Sequence, residues 1–131
     1  VQLEVGQNPT EFEHEPFDRT LDKCRRYAYV MGGDGIYERF GVGHVESSTQ
    51  ARCVTFYPTT MRAVPTTSTT DPLIVGGSFT PQSITSISVD YSSKTVGHVQ
   101  YNVSSGLDAG EGCFIIANNN ANARVTFDAE L

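Results

Sequence analysis

Apolar and polar residues alternate at every second position through much of this chain, up to its last residue. In the closing segment Ala123, Val125, Phe127, Ala129 and Leu131 alternate with Arg124, Thr126, Asp128 and Glu130, the period of a half-buried strand. A terminus so patterned is expected to be docked in a sheet. Ser83 to Tyr91 repeats the pattern, with Ile87, Val89 and Tyr91 opposite Ser86, Ser88 and Asp90. Ser92-Ser93-Lys94 turns the chain, and Thr95 to Val103 answers with Val99, Tyr101 and Val103, which makes this the clearest predicted hairpin.

Other strands are less regular. Tyr27 to Met31 is aromatic and β-branched, and Gly32-Gly33-Asp34-Gly35 reads as a turn that needs positive φ. Ile36 to Phe40 is expected to return as a second strand, after which Gly41 and Gly43 loosen the chain. From Ala51 to Tyr57, Arg52, Val54 and Phe56 face one way and Ala51, Cys53, Thr55 and Tyr57 the other. Both faces are partly apolar, as inside a sandwich or at a subunit contact.

Apolar residues within and after TTMRAVPTTSTTDP suggest strands at Met61, Ala63 and Val64 and at Leu73 to Val75, joined by polar turns. Gly106 to Gly112 reads as a loop, Cys113 to Ala117 as an apolar strand and Asn118-Asn119-Asn120 as a turn tolerant of the left-handed region. Helical spacing occurs once, where Asp18 or Thr20 can cap a short turn with Leu21, Cys24 and Tyr27 on one face. The class predicted is all-β, an antiparallel sandwich or small barrel with one short N-terminal helix.

A length of 131 residues suits one domain. The net charge of −6 argues against a nucleic-acid partner, since phosphate neutralisation needs a basic face. Arg19, Lys23, Arg25 and Arg26 cluster, yet Glu11, Glu13, Glu15, Asp18 and Asp22 share their segment and cancel the field. No apolar run reaches the ~20 residues of a spanning helix, so no membrane insertion is expected. Cys24, Cys53 and Cys113 show no CxxC spacing and are expected to be reduced and mostly buried, a Cys53–Cys113 disulfide being the lesser alternative.

Candidate chemistry is sparse. Glu11, Glu13 and Glu15 lie on a connector without an apolar pocket to raise a carboxyl pKa, so no catalytic role is assigned to them. His14, His44 and His98 lack metal-ligand spacing. No metal or cofactor is expected, although a symmetry axis bringing copies of His44 or His98 together is the one open route to a metal. No GxSxG elbow or phosphate loop occurs, and no enzyme activity is predicted. Binding is easier to support: Asp34, Tyr37, Glu38 and Arg39 on one loop, and Asp108, Glu111, Asn118, Asn119 and Asn120 on others, offer the ring and polar groups that sugar recognition uses.

QLEVG, FEHEPF and LDKCRRY, carried by Gln2, Leu3, Glu4, Val5, Gly6, Phe12, Glu13, Pro16, Cys24, Arg26 and Tyr27, resemble a connector recurring in bacteriophage tail-fibre and related virion proteins. Arg25 stands where Gln is common and Ala28 where a second Tyr is common. Met61-Arg62-Ala63 before Pro65-Thr66, and the closing Ala117-Asn118-Asn119 and FDAEL, are similar to the end of the same modules. The resemblance implies a jelly-roll-like β-sandwich, commonly homotrimeric, at the host-facing tip of a fibre or spike.

On that resemblance, residues 1–16 are read as the last strand of an upstream domain, Val1 to Val5, plus a connector. The missing initial Met fits a C-terminal fragment of a longer protein. Residues 17–131 are the terminal module. Its expected role is host attachment through a surface glycan or other receptor, in the virion after synthesis in the host cytoplasm. Its partners would be its own copies, the upstream fibre domain and the receptor. The alternatives are a purely structural domain that trimerises or caps a fibre, and a fragment of a glycan-degrading tailspike.

Overall fold

The computed structural model describes residues 14–70, 73–78 and 80–130. The expected upstream strand at Val1–Val5 and the connector through residue 13 lie outside the described residues. Among the described residues, one helix, α1 (Phe17–Arg25), precedes nine strands: β1 (Ala28–Gly32), β2 (Arg39–Ser47), β3 (Gln50–Phe56), β4 (Thr66–Thr70), β5 (Leu73–Gly77), β6 (Gln82–Asp90), β7 (Val96–Val103), β8 (Gly112–Ala117) and β9 (Arg124–Asp128). All pairings are antiparallel, so the all-β class with one short helix stands.

The strands form two sheets. β1, β9 and β4 make a three-stranded sheet, and β2-β3-β7-β6-β5-β8 closes on itself as a barrel. Closure leaves the six barrel strands with no free edge. Alternation then decides what fills the barrel: Val45, Ala51, Cys53, Val75, Val99, Tyr101, Cys113, Ile115 and Ala117 are all buried. The small sheet joins the same core through Val125 and Phe127, the latter meeting Tyr57 edge-on at 5.2 Å and stacking on Tyr29 at 6.0 Å. One continuous core therefore binds both sheets.

The predicted hairpin is β6–β7, with Val89 opposite Val99 and Ile87 opposite Tyr101. Tyr91, expected to share the face of Ile87 and Val89, instead lies beyond the strand with φ 47 and its ring almost wholly exposed. The turn after β1 is the glycine turn expected, with φ 93 at Gly32 and 102 at Gly33. The strand at Ile36 to Phe40 is displaced: β2 starts at Arg39 and runs through Gly41 and Gly43.

Gly43 does not loosen the chain. It lets β3 approach, because a Cβ there would fall on the Arg52 carbonyl oxygen and 2.8 Å from the Cys53 sulfur. Met61, Ala63 and Val64 form no strand, whereas the Thr-Ser run does, as β4 against β9. β-Branched threonines pair well on a pleated surface, and β9 supplies the apolar partners that the run lacks.

The helix differs from expectation in its cap and its burial. Pro16 occupies the N-cap and no side chain caps the end; Asp18 and Thr20 lie within the helix. None of its residues is buried, and Cys24 is exposed, not buried as expected. Glu15 accepts a hydrogen bond from the Lys23 ammonium and pairs with Arg19 at 3.1 Å, contacts that hold its carboxyl below its ordinary range. These ion pairs are solvent-exposed.

Candidate functional site

The barrel separates the proposed binding residues into two groups. At the end where β2 begins, the β1–β2 loop carries Asp34, Tyr37 and Glu38, Arg39 opens β2, and the β8–β9 loop carries Asn118, Asn119 and Asn120. Backbone hydrogen bonds tie these loops together: the Ala117 N–H donates to the Glu38 carbonyl at 2.8 Å and the Asn120 N–H to the Ile36 carbonyl at 3.1 Å. Seven of the nine residues therefore share one end.

Asp108 and Glu111 do not join them. The Leu107 N–H donates to the Ser48 carbonyl and the Gly110 N–H to the Val45 carbonyl, which fixes their loop beside the β2–β3 turn. β2 has nine residues, so roughly 26 Å of strand separates the two ends. Glu111 accepts a hydrogen bond from the Ser78 hydroxyl at 2.8 Å, a local tie.

At the first end the loop geometry is self-supporting. The Asp34 N–H donates to a Glu38 carboxylate oxygen at 3.2 Å, closing the loop on itself. Asn119 takes the left-handed conformation at φ 53, tolerable for asparagine, and the Asn122 N–H donates to Asn120 Oδ1 at 2.8 Å. The Arg39 guanidinium lies over the Phe114 ring at 4.7 Å. Tyr37 projects outward and is 59 % exposed.

Two residues of this end were not singled out in the sequence. Arg124 packs its guanidinium across Gly33 and donates to the Asn122 carbonyl at 2.9 Å. Both Arg124 and Asn122 sit inside runs that read as strand and turn, and only the fold brings them beside Asp34. The assembled set offers carboxylates, guanidinium groups, amides and one open ring. That combination suits reversible binding of a hydroxyl-rich ligand: planar donors and acceptors for hydroxyls, and a ring face for the apolar side of a sugar.

The two buried thiols are of a different kind. Cys53 and Cys113 are free, and Gly43 pairs with each of them across β2. A shared hydrogen bond with Cys113, together with burial, pushes the Cys53 thiol far up, so it stays protonated. Burial likewise raises the neighbouring Tyr101 hydroxyl. Enclosed in the closed barrel, both thiols are core residues. His44 and His98 lie on the outer wall in different rows, opposite Arg52 and Val54 respectively.

No family model, curated protein or solved structure matches this chain.

Proposed function

We propose that this chain is the terminal β module of a bacteriophage tail fibre or spike, a homotrimer that attaches the virion to its host by binding a surface glycan or other receptor. One observation carries the binding part: Asp34, Tyr37, Glu38, Arg39 and Asn118 to Asn120, from loops far apart in sequence, meet at one end of a rigid barrel. Loops on a stiff scaffold hold their side chains in place before the ligand arrives, which lowers the ordering entropy of binding. The resemblance of the connector and of FDAEL to phage fibre modules supplies the rest.

Binding without turnover is the chemistry that fits these residues. Asp34 is exposed and Glu38 only half-buried, so neither has the apolar surroundings that make a carboxyl a general acid. The test is an array of bacterial surface polysaccharides probed with the chain. Saturable binding without release of reducing sugar is expected. Release of reducing sugar would mark a glycan-degrading spike instead.

A second reading, a structural module that trimerises or caps a fibre, draws on the exposed apolar surface of the barrel wall and of α1. Binding to no polysaccharide and no host cell, with assembly intact, would favour it.

A further inference from the structure

Cys53 and Cys113 stand opposite the same residue. Gly43 pairs with Cys53 of β3 on one side and with Cys113 of β8 on the other, so the two thiols lie at one level of the barrel, and both are buried inside it. Gly43 puts no side chain between them, and a Cβ there would come 2.8 Å from the Cys53 sulfur. The two thiols share a hydrogen bond. Their strands are not neighbours, because β2 runs between them. Two strand spacings put the Cα atoms roughly 8–10 Å apart, beyond the ~7 Å within which a disulfide closes without backbone movement. The pair suits a longer bridge than a sulfur–sulfur bond.

A third group meets the pair. Tyr101 enters the barrel from β7, two residues on from Val99, which stands opposite Cys53. It is fully buried, both thiols act electrostatically on its hydroxyl, and that hydroxyl has no hydrogen-bond partner among the described residues. An enclosed donor with nothing to donate to is uncommon in a folded protein. A thiol sulfur is a weak acceptor, whereas a metal-bound thiolate carries the negative charge that strengthens such a bond.

Donor count and spacing set the class of metal. Among the described residues no group of three or more His, Cys, Asp or Glu converges, so neither the four ligands of a structural zinc nor the oxygen cage of calcium is present. Two thiolates suit a soft monovalent ion, copper(I) above all. Metal–thiolate bonds of about 2.3 Å hold the sulfurs of a linear unit about 4.6 Å apart, which bridges two strands without drawing their backbones together.

We propose that Cys53 and Cys113 bind one copper(I) ion across Gly43 as a linear bis-thiolate, with the Tyr101 hydroxyl donating to one of the sulfurs. One copper(I) ion and two thiols give one S–Cu–S unit of single negative charge and two released protons, with no change of oxidation state. The Tyr101 hydroxyl offsets part of the burial of that charge. The ion ties β3 to β8 over β2, a staple for a small domain. This site is independent of the receptor and assembly readings above.

The test uses the full chain carrying Cys24→Ser, which removes the exposed thiol, with copper(I) supplied anaerobically during refolding from urea. Native mass spectrometry should find one copper per chain, and X-ray absorption two sulfur neighbours around it. Melting should rise by at least about 5 °C, since the ion binds only the folded chain. Two protons leave for each ion, so affinity should fall about a hundredfold for each unit by which pH is lowered. Tyr101→Phe should weaken copper binding at least ~10-fold, yet the copper-free variant should melt no lower than the parent, because only an unpartnered hydroxyl is lost. A purely structural Tyr101 would lower the melting of the copper-free chain and leave the copper affinity unchanged.

A Cys24→Ser chain that takes up no copper overturns the proposal. Copper kept by both Cys53→Ala and Cys113→Ala, or a pH dependence of one released proton, shows that the pair is not the site. Equal copper affinity in Tyr101→Phe removes Tyr101 from it. Where a cysteine variant fails to fold, the proton count and the sulfur neighbours of the Cys24→Ser chain decide.

Discussion

Gly43 stands opposite Cys53 on one neighbouring strand and opposite Cys113 on the other, so the residue between two buried thiols has no side chain. The absence of a Cβ lets β3 close on β2 and leaves room for the Cys53 sulfur. Gly43→Ala should therefore destabilise by ~1–3 kcal/mol, because the colliding atom is backbone and cannot rotate away. The midpoint of urea unfolding measures this. A loss of a few tenths would mean that β2 and β3 are further apart than described.

Phe127 joins the small sheet to the barrel through Tyr29 and Tyr57. It is fully buried, so Phe127→Ala should cost ~3–5 kcal/mol in denaturant unfolding. Thr126→Ala, one position away on the outer face, should cost less than about 1 kcal/mol. Comparable losses at the two positions would contradict the register of β9.

Alkaline pH should weaken the fold through Tyr57. Burial raises its hydroxyl to about 12, and that hydroxyl has no hydrogen-bond partner among the described residues. An unfolded tyrosine ionises near pH 10. Below that pH neither state releases the proton and the full stability is present. Between about pH 10 and pH 12 only the unfolded chain ionises, so stability falls as pH rises. Tyr57→Phe should flatten that decline, read as urea midpoints from pH 8 to 12. An unchanged slope would assign the decline to other groups, with Tyr101, also raised by burial, the first to check.

Much of the fold was legible because alternation is a local signal. β3, β7 and β9 each bury every second residue for most of their length, and a period of two survives whatever the strand pairs with. β4 was not legible, since TTSTT has no apolar period and becomes a strand only through its pairing with β9. Glycines in β2 misled for a related reason: Gly43 serves a neighbouring strand, and a single sequence does not say which strand that is.

The candidate site was legible residue by residue and not as a place. Loop composition identified Asp34 to Arg39 and Asn118 to Asn120. Which loops share an end depends on strand order, and that order put Asp108 and Glu111 at the opposite end. The apolar outer face of β3 was visible beforehand in Val54 and Phe56, whereas its continuation to Val42 and Tyr91 needed the barrel.

Polysaccharide binding by paired variants tests the central claim most directly. Tyr37→Ala and Asn119→Ala alter the end where seven candidate residues meet, and Asp108→Ala and Glu111→Ala alter the other. With an immobilised bacterial surface polysaccharide that the parent binds saturably, the first pair should each weaken affinity at least ~10-fold, about 1.4 kcal/mol. The second pair should leave it within about twofold. No saturable binding to any polysaccharide or host cell, or equal losses from both ends, would contradict the account.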